Sequence, residues 1–170
     1  MDRGLDTQFE YEGKSMGRST DGQICFGFDF GEGHEFPWDS EEYEGDIVEW
    51  WRAVNGFKDK YKPFDESGEW AEGWSTDDPR MREHYGARRE WDKENPIPIE
   101  QVNTCSGDYP MWILAIPGTV TVARRGGPKR FDPSALKVDT GKYDAMIGFF
   151  NDHGIEPAGE PDWFLSSYWG

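Results

Sequence analysis

Met111-Trp112-Ile113-Leu114-Ala115-Ile116 is an unbroken apolar run, Pro117-Gly118 follows it, and Thr119-Val120-Thr121-Val122-Ala123 alternates threonine with apolar residues. A short continuous apolar run reads as a buried strand and strict alternation as a half-buried one. Pro-Gly fits the central positions of a type II turn, with glycine where φ must be positive. This stretch predicts a β-hairpin. A second hairpin is predicted at the front of the chain. Residues 7–14 alternate aromatic and polar side chains, and Ser19-Thr20-Asp21-Gly22 reads as a turn. Gln23 to Phe30 then places Ile24, Phe26, Phe28 and Phe30 on one strand face.

Three helices complete the pattern. Asp39 with Glu42 has capping-box spacing, and Tyr43, Ile47, Trp50, Trp51 and Val54 form an apolar stripe that ends at Asn55-Gly56. Asp78-Pro79 reads as a cap plus a first-turn proline opening a helix to about Lys93, with Met81, Tyr85, Arg88 and Trp91 along one side. Asp139 or Thr140 opens the third helix, with Tyr143, Met146, Ile147 and Phe150 at helical spacing and Gly154 closing it. Trp163 to Trp169 reads as a last edge strand. Residues 57–78 read as an irregular central segment, either a long functional loop or irregular structure pinned by its aromatics. The predicted fold is α+β, with two antiparallel hairpins in a sheet and about three helices packed on it, all within one domain spanning 1–170.

The composition explains how such a chain builds a core. Leu, Ile, Val and Phe are only 29 of 170 residues, a share usually associated with disorder at high charge. Nine Trp, seven Tyr and five Met oppose that reading, because disordered chains are poor in aromatics. The core is expected to be made of rings. Two cysteines, Cys25 and Cys105, are too few for a disulfide scaffold, so reduced thiols are expected. With no basic-plus-apolar leader and no long apolar run, a soluble cytoplasmic protein is expected, in the host cytoplasm if the source is viral.

Charge is unevenly placed. Residues 1–78 carry 21 acidic and 7 basic side chains, residues 79–170 carry 13 and 11. Such a field disfavours direct contact with nucleic acid or an anionic membrane and favours a basic partner. The stretch from Asp29 to Glu49 holds nine carboxylates and no Lys or Arg. On the predicted helix, side chains three or four apart lie about 5–6 Å from one another, comparable with phosphates along a strand. A protein so built can occupy a groove made for DNA or RNA. The bland alternatives are a solvated helix face and salt adaptation, the latter opposed by the near-neutral back half. Asp39, Glu41, Glu42, Glu44, Asp46 and Glu49 are therefore the candidate partner-binding carboxylates. Trp38, Trp70 and Trp74 are candidate aromatic anchors beside them, if exposed.

Other chemistry finds less support. The carboxylate spacing matches no calcium loop, His34-Glu35 lacks a second zinc histidine, and His34, His84 and His153 lie far apart. No phosphate loop, dinucleotide fingerprint or serine-hydrolase elbow occurs, so no metal or cofactor is expected. Cys105 follows a predicted strand and reads as a packed thiol more readily than as a nucleophile. Arg124, Arg125, Lys129 and Arg130 surround Gly126-Gly127-Pro128 and form a candidate anion-binding loop. The expectation is an acidic binding or inhibitor protein engaging a basic groove of a nucleic-acid-handling or defence protein. The alternative is a small enzyme or nucleotide-binding domain using that loop and N-terminal carboxylates. In charge and size alone the chain resembles small acidic proteins of viruses and mobile elements, an analogy of composition.

Overall fold

The computed structural model describes residues 20–64 and 67–169. Its central element is β1 (Thr20–Glu32), whose alternating side chains serve both faces of the sheet. Along one edge of β1, β3 (Met111–Ala115) pairs with Gly27–Glu32 and β4 (Thr121–Ala123) with Gly22–Ile24. Along the other edge, β5 (Asp162–Trp169) pairs with Thr20–Gly27, and β2 (Glu100–Asn103) lies outside β3. Every ladder is antiparallel. The helices are α1 (Ile47–Val54), α2 (Pro79–Glu94) and α3 (Thr140–His153), so the α+β class is as the sequence pattern predicts.

The strand pairing departs from the two predicted hairpins. β3 and β4 run in the same direction along the same edge of β1, with Ala115 opposite Gly27 and Thr121 opposite Ile24. The Pro117-Gly118 turn is present, with Gly118 at φ 88° and Thr119 N donating to Ile116 O at 3.1 Å. It kinks one interrupted strand where a reversal was expected. Thr119 supplies the reason: its Oγ1 accepts a hydrogen bond from Phe26 N at 3.1 Å, filling the ladder position that the excursion empties. At the front, the expected strand over 7–14 lies outside the described residues. Thr20, Asp21 and Gly22, expected in a turn, are inside β1 opposite Trp169, Tyr168 and Ser167. Ladder hydrogen bonds on both edges there outweigh the local turn preference of Asp-Gly.

The first helix also begins later than predicted. Glu44 at φ 49° and Gly45 at φ 84° break the helix expected to open at Asp39. Asp46 is the cap, its Oδ1 accepting from Val48 N at 2.8 Å and Glu49 N at 3.0 Å. Asp39 closes a turn, its Oδ2 accepting from Phe36 N at 2.8 Å. Elsewhere the local signals hold. Gly56 follows the α1 C-cap at φ 75°, Asp78 caps α2 through Arg80 N, Asp139 caps α3 through Lys142 N, and Gly154 ends it at φ 66°.

Side chains from α1 and α3 pack with one sheet face around a core of rings. Phe28, Phe30, Phe36, Trp38, Trp50, Phe149 and Phe150 are buried there with Leu114, Ile116 and Met146. On the other face Cys25, Val102, Ile113 and Ala115 form a second cluster flanked by Val120 and Phe164. Among the described residues that cluster includes no helical side chain. The sheet curls instead: Trp169 of β5 donates its N–H to Cys105 O at 2.8 Å, just beyond β2, and Trp169 bridges Ser106 in parallel. The two edges thus meet and shield the interior. Gln23 crosses it, with Nε2 donating to Asn103 O.

Candidate binding surfaces

Residues 36–46 form a run of turns around a buried anchor. Trp38 is 0% exposed, stacked on Phe36 at 4.8 Å between ring centroids and set against Trp50 at 5.2 Å. The backbone closes over it through Gly45 N donating to Trp38 O at 3.0 Å and Glu44 N to Ser40 O at 2.9 Å. With the ring pointing inward, the polar side chains of the same segment point out. Asp29, Glu32, Glu35, Asp39, Glu41, Glu42, Glu44 and Asp46 are all exposed. Among the described residues none of these eight forms an ion pair. No three His, Cys, Asp or Glu side chains among the described residues converge as metal ligands either. Burial, helped by a hydrogen bond to Glu42, raises the Tyr43 hydroxyl pKa.

Trp38 therefore presents no exposed ring, and Glu41, Glu42 and Glu44 sit on turns where a helix was expected. Glu49, on α1, faces elsewhere. Its carboxylate pairs with Arg52 at 2.7 Å and with Arg88 of α2. Arg52 continues as a fork to Asp92, 2.8 and 2.5 Å, and Arg88 reaches Asp59 at 2.5 Å. This network bolts α2, whose own apolar face is weak, onto α1 and the 57–64 segment. Burial alone would lower the Arg88 pKa, and its hydrogen bonds to Asp59 and Glu49 outweigh that and raise it.

His84 lies beneath this network and is 4% exposed. Its Nδ1 is 3.3 Å from Asp59 Oδ1 but outside hydrogen-bond geometry, and among the described residues this buried nitrogen has no hydrogen-bond partner. Burial lowers its pKa, Asp59 opposes that, and Arg88 adds to it. Below the ordinary value of 6.5 the unfolded chain takes up a proton that the folded chain refuses, so stability falls as pH drops through that region. Urea midpoints of the wild type are expected to decline between about pH 7 and 5.5, above the carboxylate range. A His84→Gln variant is expected to show a flatter profile; equal slopes would show that His84 contributes nothing.

The three candidate tryptophans separate. Trp74 is half-buried, with Arg80 over its ring at 4.0 Å and Tyr61 edge-on at 5.7 Å. Trp70 is 40% exposed and pairs with Phe64, also 40% exposed, at 4.8 Å. Both line a cavity of about 700 Å³ against α2, which also contains Tyr85, Arg82 and Arg89. None of those three was singled out as a site residue from sequence. Arginines spaced at helical period on one outward face were the available signal.

Arg124, Arg125, Lys129 and Arg130 are exposed on the loop after β4. Gly127 N donates to Arg124 O at 2.9 Å, and Arg125 N donates to Asp21 Oδ1 at 3.0 Å, so two amides there are already used inside the protein. Both cysteines are free. Burial first, and Glu100 second, pushes the Cys25 thiol up to about 11, which leaves it protonated and unreactive at neutral pH. His34 and His153 pack edge-on or tilted against Phe30, Trp50 and Phe149. Among the described residues no helix is long and apolar enough to cross a membrane.

No protein-family model matches the chain, and neither a curated protein nor a solved structure is significantly similar to it.

Proposed function

We propose that this protein is a binding protein that presents the acidic turn Asp39–Asp46, with Asp29, Glu32 and Glu35 beside it, to a basic protein surface. One observation carries the reading: among the described residues the exposed carboxylates form no ion pair, while the turn bearing them is held by a fully buried tryptophan. Rigid anchoring lowers the ordering cost of association, and uncompensated charge steers the encounter. The groove of a nucleic-acid-binding protein is the basic surface whose clustered Lys and Arg fit such a ligand. Helical phosphate spacing no longer supports the idea, since α1 retains only Asp46 at its cap and Glu49, which is already paired. Charge density and rigidity are what remain.

The test is affinity capture with the wild type and with Glu41→Lys/Glu42→Lys/Glu44→Lys, at low and high salt. A basic partner is expected to be held by the wild type at low salt, released at high salt, and bound at least about tenfold more weakly by the variant, or about 1.4 kcal/mol. DNA or RNA bound to that partner is expected to be displaced by the wild type only. A partner held equally by both proteins would overturn the reading.

A further inference from the structure

The cavity against α2 differs in chemistry from the rest of this acidic protein. Arg82 and Arg89 both line it, both are exposed, and among the described residues neither forms an ion pair. They are seven residues apart on one helix, about two turns, with Tyr85 between them on the same side. Arg52 and Arg88, which also contact this space, are already committed to carboxylates. The two remaining guanidinium groups are therefore free to take an anion through planar forks.

Three aromatic side chains line the same cavity. Phe64 and Trp70 keep two-fifths of their surface in solvent although they pair with each other, and Tyr85 is 47% exposed. The cavity volume of about 700 Å³ lies within the rough 300–1,000 Å³ span of small-molecule sites. A second, adjoining cavity of about 460 Å³ shares Phe64, Tyr85, Arg88 and the Arg-paired Glu49 with it and is lined by His84.

We propose that this cleft binds a mononucleotide-type ligand, an aromatic base carrying a phosphate. The base stacks on the Phe64–Trp70 wall and Tyr85, and the phosphate is held by Arg82 and Arg89. A phosphate monoester, close to doubly charged at neutral pH, matches two unpaired guanidinium groups where a single carboxylate does not. A free nucleotide is favoured over a strand, because the −16 net charge repels a long polyanion while a small ligand needs only the local cations. This site is separate from the acidic turn and does not depend on the partner proposed for it.

Isothermal titration of the full chain with adenosine monophosphate at low ionic strength tests the proposal. Adenosine monophosphate is expected to bind at least about tenfold more tightly than inorganic phosphate, adenosine or indole-3-acetate, each of which offers part of the chemistry. Arg82→Ala, Arg89→Ala and Trp70→Ala, all at exposed positions, are each expected to weaken it about tenfold, and Arg82→Lys by less because the charge stays while the fork is lost. Four results would overturn the proposal: no binding at millimolar nucleotide, equal affinity for adenosine or the aromatic carboxylate, undiminished binding by both arginine variants, or tighter binding of a single-stranded oligonucleotide.

Discussion

Replacing Trp38 with alanine is expected to destabilise the protein by about 3–5 kcal/mol, read as a fall in urea midpoint at unchanged slope. The ring is wholly buried, lies flat on Phe36 with 6° between planes, and touches Trp50 and Phe149. These neighbours are themselves large rings wedged between the sheet and two helices, so the space left behind collapses poorly. One feature works against the ring. Its Nε1–H has no acceptor among the described residues, a burial cost of about 1–3 kcal/mol. Trp38→Phe removes that cost while keeping the stack, and is expected to lose under about 2 kcal/mol. The pair also tests function. The acidic turn is tied to Trp38 through Gly45 N and the Phe36 contact, so partner binding should survive in the phenylalanine variant and fail in the alanine variant under conditions where both are folded. A loss under about 1 kcal/mol for alanine would mean that the ring does not hold the turn.

Signals confined to a few residues were legible from sequence, and signals that depend on a distant partner were not. Asp78-Pro79, Asp139 and Gly154 mark helix ends by local hydrogen bonding, and the structure uses them so. Asp39 and Asp46 look alike at that level, since each is followed by glutamate three residues on. What separates them is Glu44-Gly45 in left-handed conformation, for which Gly45 was the available clue. Pro117-Gly118 shows the other limit. Its turn type was readable, yet whether the chain then reverses or continues is decided by Thr119 binding Phe26, 93 residues away. Site residues divide in the same way. Trp38 and Trp70 sit in similar acidic, irregular sequence, and only the folded partners send one into the core and the other to a cleft. Arg88 and Arg89 are neighbours in sequence and both line the cavity, yet helical phase points Arg88 at Glu49 and Asp59 and leaves Arg89 without an ion pair among the described residues.

Arg88→Ala is expected to cost about 2–4 kcal/mol, slightly below the 3–5 kcal/mol seen when one member of a fully buried ion pair is removed. The reduction reflects partial solvent access: the Arg88, Asp59 and Glu49 side chains retain 20%, 23% and 38% of their exposure. Most of the cost is not lost attraction. It is the price of leaving Asp59 without a cation beside the His84 nitrogen, and Glu49 with Arg52 alone. Removing the stranded charges as well, in Arg88→Ala/Asp59→Asn/Glu49→Gln, is therefore expected to restore more than half of the loss, a non-additivity that independent sites do not show. His84 reports the same physics from the other side. Arg88 is one of the charges that lower its pKa, whereas Asp59 raises it. Without Arg88, and with Asp59 kept, the His84 pKa is expected to move upward, and stability between about pH 7 and 5.5 should fall less steeply than in the wild type. Titration of the His84 ring signals by NMR reads this directly. An unmoved pKa, or a triple variant no more stable than Arg88→Ala, would show that α2 is held by apolar contacts at Met81 and Trp91 and that the ion network is a bystander.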